Sequence, residues 1–188
     1  MAILKIARMG HPVLARVADP VADPTDPAIR DLAADMIDTM VDAPGTGLAA
    51  PQVHVPLRVV VFLVRPERTT GIAGDTPVDL TVLVNPVLEP LGEAANAAFE
   101  GCLSVPGLTG RVNRYTHLRY SGFGLDGKRI ERTVAGFHAR VVQHECDHLD
   151  GILYPQRMDD LAELGFVEEM RRRAESKRAA EQIQETSK

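Results

Sequence analysis

Two histidines flank a glutamate in His144-Glu145-Cys146-Asp147-His148, an H-E-x-x-H that is the strongest chemical signal in the chain. On a helix, residues four apart lie one turn apart on the same face. Two imidazoles placed that way bind one divalent metal ion. Glu145, one step round, reaches a metal-bound water without ligating the metal. A bound metal lowers that water's pKa toward neutrality, and the carboxylate takes and returns the proton. Five-residue motifs also match by accident, so a third protein ligand is needed before this is a site.

Three places offer one. Downstream, His148-Leu149-Asp150-Gly151-Ile152-Leu153-Tyr154 ends on a tyrosine where one protease class carries its third histidine. Glu168 and Glu169 follow at roughly the twenty-residue distance of a second class, but in a charged stretch that reads as solvated surface. Cys102, in Phe99-Glu100-Gly101-Cys102-Leu103-Ser104, offers a thiolate, a strong ligand for zinc or ferrous iron. The commoner role of a lone cysteine is a small buried apolar residue. That role suits Cys146, which at two residues from each motif histidine points to the far side of the helix. A further segment, Gly45-Thr46-Gly47-Leu48-Ala49-Ala50-Pro51-Gln52, lacks the Lys and Ser/Thr of a phosphate loop. Its small residues let another backbone, such as a peptide substrate, come close. Gln52 either donates an amide N–H to a developing oxyanion or sits on the surface of a helix cap and turn.

In that order the segments resemble the peptide deformylase signature, GxGLAAPQ then EGCLS then QHExDHLxG. With Gly10-His11-Pro12-Val13-Leu14 the likeness runs from about residue 3 to 165. The resemblance implies a single α+β domain, with antiparallel sheets around a central helix that carries the two histidines. It implies a hydrolase that removes the formyl group from N-formylmethionine of nascent polypeptides and releases formate. Carried over by position, Cys102, His144 and His148 hold one divalent metal ion per chain. That ion is ferrous iron natively, with zinc, nickel or cobalt as substitutes. Glu145 matches the general base and acid, and Gln52 and the Leu103 backbone N–H match the oxyanion donors. Thr46, Gly47 and Gly101 match positions beside the substrate backbone. Val141, one turn before Glu145, either walls a methionine pocket or is simply core. Glu100 matches a structural carboxylate behind the site.

Two departures stand out. Thr46 replaces the Ile or Val frequent in the family. Thr109 stands where many bacterial members have an Arg that would pair with Glu100, which leaves Arg111, Arg114 or some other group as its partner. Competing readings are a zinc endopeptidase, a closed structural metal site and an inactive binding module. Tyr154 and the match around Cys102 oppose the first. Only three good ligands beside an intact Glu145 oppose the second, because structural zinc sites usually close all four positions. The retention of Glu145, Gln52 and the ligands opposes the third.

The elements that must position these groups are partly readable. Ile29, Leu32, Ala33, Met36, Ile37, Met40 and Val41 recur at helical spacing from Pro27 to Val41, with Asp26 as cap and Pro44-Gly45 as stop. Arg58 to Val64 and Leu80 to Val87 read as buried strands around a surface loop from Arg65 to Pro77. Tyr115 to Phe123 and Arg129 to Val134 read as strands joined by a turn at Leu125-Asp126-Gly127. Ala135 to Asp150 is the motif helix, ended by Gly151. A last helix is predicted from Asp159 to about Met170. Residues 1–170 then form the catalytic domain, and 171–188 a charged helical extension or tail. Helices and strands do not alternate regularly, which favours α+β.

The 188 residues suffice for one domain with a real core. A net charge of −5 argues against direct nucleic-acid binding. Two cysteines make no disulfide framework. Lys5, Arg8 and Arg16 break up the N-terminal apolar residues, and no apolar run reaches membrane-spanning length. The expected setting is a bacterial cytosol. The expected partners are N-formylmethionyl nascent peptides, with room for a transient ribosome contact and no membrane binding.

Overall fold

Alternation along Val59–Val64 explains how the chain builds its centre. The structure is a computed structural model that describes residues 2–186. Strand β2 (Val59–Val64) turns Val60, Phe62 and Val64 to one face and Val59 and Val61 to the other. Both faces are covered, so the strand is apolar throughout. It lies in a five-stranded antiparallel sheet with β1 (Gly47–Ala49), β3 (Val78–Pro90), β6 (His117–Phe123) and β7 (Arg129–Ala135), in the order β1-β2-β3-β6-β7.

One face of that sheet packs against α1 (Pro27–Asp42), whose Met36 and Met40 meet Leu48, Val59, Val61 and Val84. Asp26 caps α1 by accepting from the Ala28 N–H at 2.8 Å, as its sequence predicts. The other face packs against α2 (Gly136–Leu149), whose Ala139, Val142, Cys146 and Leu149 join Phe62, Leu83, Leu118 and Tyr120. Cys146 is thus the buried apolar residue expected of it, and burial pushes its thiol pKa well up.

The opposite flank of α2 faces a second sheet of β4 (Ala95–Cys102), β5 (Val105–Tyr115) and β8 (Gly165–Phe166), ordered β4-β5-β8. The expected architecture, antiparallel sheets around a central H-E-x-x-H helix, is therefore present. Strands β4 and β5 have no counterpart in the sequence reading. Their stretches, ANAAFEGC and VPGLTGRVNRY, are rich in Ala, Gly and Asn and carry little β-propensity. They are held by pairing along their length, from Ala95 opposite Tyr115 to Cys102 opposite Val105.

The last helix also differs from its expected position. A short 3-10 turn (Leu161–Glu163) and β8 occupy its predicted start, and α3 runs over Val167–Thr186. Leu108 and Thr109 of β5 pair with Phe166 and Gly165 and draw that segment into the sheet. The helical spacing of Leu161 and Leu164 is real, but tertiary strand pairing overrides it. Among the described residues, no helix is long and apolar enough to cross a membrane.

Candidate metal centre

Three chain segments converge on one point. The strand register slips between Glu100 and Cys102: Glu100 pairs with Gly110, while Cys102 pairs with Val105. Such irregularities re-aim side chains at sites. Here Cys102 is turned toward α2. His144 and His148 stand one turn apart on α2, and Cys102 Sγ lies 3.3 Å from His148 Nε2. One donor atom from each of Cys102, His144 and His148 falls within 4.8 Å of the other two. No such closure involves Glu168 or Glu169, which are exposed on α3. Tyr154 instead stacks its ring on His144, with centroids 6.3 Å apart.

Glu100 fixes the orientation of His144. Its Oε2 lies 2.8 Å from His144 Nδ1, which leaves Nε2 to face the centre. Arg114 grips Glu100 at both oxygens, each at 2.9 Å, and Arg140 adds a contact of 2.7 Å. Arg114 thus fills the role left open by Thr109. Arg111 is exposed on the other face of β5, and Thr109 donates its hydroxyl to the Glu100 carbonyl. Burial opposes the Glu100 charge, yet His144 and Arg114 hold its carboxyl well below the usual range. Arg114 also pairs with Asp147, which Arg157 meets at 2.7 Å. The sequence reading missed Arg140 and Asp147. The spacing contained a signal for Arg140, which precedes His144 and His148 by one and two turns on the same face.

Glu145 is buried beside Gly47. A Cβ on Gly47 would collide with the Glu145 carboxylate, so this glycine makes room for Glu145. Burial pushes the Glu145 pKa up to about 7; His144 pulls it down and Glu100 pushes it up. Its Oε2 is buried without a hydrogen-bond partner, as a polar atom facing a bound group would be. Gln52 is buried, not a surface residue. Its Oε1 accepts from the Ala49 N–H at 2.8 Å, which aims Nε2 at Ser104 Oγ (3.1 Å) and Cys102 Sγ (3.5 Å). The thiolate-and-imidazole donor set suits zinc or ferrous iron, and Glu145 stands beside it without being part of it.

The centre opens into a cleft of about 480 Å³. Thr46, Gly47, Gly101, Leu103 and Val141 all line it, so it gathers every expected substrate-side residue. Val141 also belongs to the main core.

An H-E-x-x-H helix between two antiparallel sheets, with a cysteine closing the ligand set, defines a metallohydrolase of α+β fold. The family model for polypeptide deformylase matches residues 3–163. Peptide deformylase 1 of Bordetella pertussis is 53% identical over 163 residues, covering 87% of this chain and 92% of that protein. Peptide deformylase 2 of Ralstonia nicotianae is 52% identical over 166 residues, covering 88% and 93%. Among solved structures, a Met-Ala-Ser-bound class I type b peptide deformylase from Acinetobacter baumannii is similar with a TM-score of 0.76 and 34% identity, covering 84% of this chain and 99% of that one. An actinonin complex of the Ehrlichia chaffeensis enzyme reaches a TM-score of 0.79 at 30% identity, covering 87% and 92%. The chain belongs to the polypeptide deformylase family. With membership comes the activity, metal-dependent removal of the N-formyl group from new polypeptides.

Proposed function

We propose that this chain deformylates N-formylmethionyl peptides through the residues gathered in the cleft, with Glu145 as the proton carrier. Cys102, His144 and His148 would hold the metal, ferrous iron natively, with zinc, nickel or cobalt accepted by the same donors. The bound ion supplies Lewis acidity and an activated water at neutral pH. Glu145 accepts the water's proton and delivers it to the leaving amine. A carboxyl with a pKa near 7 is well matched to doing both. Gln52 Nε2 and the Leu103 N–H stabilise the oxyanion that develops on the formyl oxygen. The backbones at Thr46 and Gly101 pair with the peptide as an added strand, beside Gly47, and Val141 walls the methionine pocket. Glu100 keeps Nδ1 of His144 occupied so that Nε2 faces the ion.

The observation that carries this reading is the convergence of the three donors beside a buried, unpaired Glu145 oxygen. Bacterial relatives support a bacterial cytosol as the setting. Newly made chains would then be met during transient contact with the ribosome. The test is formate release from formyl-Met-Ala-Ser by protein prepared anaerobically with ferrous iron, beside a Glu145→Ala variant that retains metal. Rapid release by the parent and near-loss in the variant are expected. No release by the fully metallated parent would overturn the assignment.

A further inference from the structure

Four charged side chains line the active cleft: Arg68, Glu100, Arg140 and Glu145. Three are buried, and two of those, Glu100 and Arg140, are bound to each other at 2.7 Å. Arg68 alone is exposed. Its guanidinium lies 4.5 Å from the centre of the Phe137 ring, and no ion pair or side-chain hydrogen bond engages it among the described residues. A ring contact leaves the guanidinium's hydrogen-bond donors available to an anion.

The position of Arg68 is built in. Asp75, from the same loop, accepts from the N–H groups of Phe137 (3.0 Å) and His138 (3.2 Å) at the start of α2. It also accepts from Thr70 N and Oγ1, each at 2.6 Å, so the segment next to Arg68 is tied to the helix that carries the site. Along α2, Phe137, Val141 and His144 share one stripe, and all three line the cleft. At about 1.5 Å per residue, Phe137 lies about 10 Å before His144 along the helix. An extended peptide covers that span in about three residues.

We infer that Arg68 is a specificity-determining residue that favours peptides carrying a carboxylate on the second or third residue after the formyl group. The carboxylate meets the guanidinium at the cleft mouth while the formyl group occupies the centre. Nothing else solvent-facing in the cleft carries a charge, so the preference is one-signed: acidic over neutral over basic. This inference rests on the deformylase reading above.

The experiment compares kcat/KM for formyl-Met peptides with Glu, Gln or Lys at the second and at the third residue, at low salt. Formyl-Met-Ala-Ser serves as the neutral reference for every protein. An exposed charge pair gives an expected Glu:Gln ratio of about three at the favoured position, with Lys below Gln. Added salt drives the ratio toward one. Arg68→Gln abolishes the ratio, and Arg68→Glu reverses it in favour of Lys. Equal rates for Glu, Gln and Lys in the parent, or a Glu preference that survives Arg68→Gln, would overturn the inference while turnover of the neutral peptide upheld the deformylase. Absence of formate from every peptide would instead sink the functional reading and this inference with it.

Discussion

At the residue scale, the site depends on Gly47 as much as on its charged groups. The Glu145 carboxylate occupies the space where any other side chain at position 47 would begin. Gly47→Ala is therefore expected to fold but to displace Glu145. A misplacement of about 1 Å costs on the order of 100-fold in rate, and steady-state kinetics beside a metal assay will show whether activity falls while metal content holds. Glu145→Gln keeps the shape and removes the carboxylate proposed to carry the proton. Formate release should drop by about 10²–10⁴-fold with metal affinity retained, and a smaller loss would mean that another group carries the proton. The buried arginine belongs to a different class of effect. Arg114, only 6% exposed, bridges Glu100 and Asp147. Replacing it with Met leaves Glu100 with Arg140 and Asp147 with Arg157 but removes the charge between them, and should destabilise the fold by about 1–3 kcal/mol in denaturant unfolding.

Among the elements, α2 decides the most. Its apolar flank fills the core against the five-stranded sheet, and its polar flank reaches Glu100 and Arg114 on the β4–β5 pair. Its first turn is held by Asp75 across a loop, at a Gly136 with φ of +56° where a Cβ would collide with that carboxylate. Burial works against the Asp75 charge, but hydrogen bonds from Thr70, Phe137 and His138 outweigh it and hold the pKa below the usual aspartate value. A folded-state pKa below the unfolded one stabilises the protein above the unfolded pKa, and that stability is lost as pH falls through the folded value. Asp75→Ala should cost about 1–2 kcal/mol at neutral pH, as other lost helix caps do. Unfolding curves of the two proteins should converge only in acid, below about pH 4. A difference that persists unchanged there would show that the carboxylate charge is irrelevant to the cap.

For the whole molecule, metal binding and folding are linked. The three donors come from β4 and α2 and meet only in the folded chain, so metal held there stabilises the native state. At free metal 100-fold above its Kd the gain is about 2.7 kcal/mol, read as a rise in Tm. Cys102→Ala should lose most of that rise, and an equal rise in the variant would place the ion elsewhere.

Read without its structure, the sequence determined the helix that carries the two histidines, the Asp26 cap of α1 and the apolar strand β2. These depend on local rules: four-residue spacing places two histidines on one face, and an unbroken β-branched run makes a buried strand. Tertiary structure alone decided the rest. Strands β4 and β5 have little propensity of their own and exist because each pairs with the other. The predicted helix start at Asp159 gave way to pairing of Gly165 and Phe166 with β5. The choice of Arg114 over Arg111 came from strand parity and from what lay across the gap, two carboxylates on different elements. Spacing along a chain orders neighbours on one element, whereas a partner 14 or 33 residues away is selected only when two elements pack.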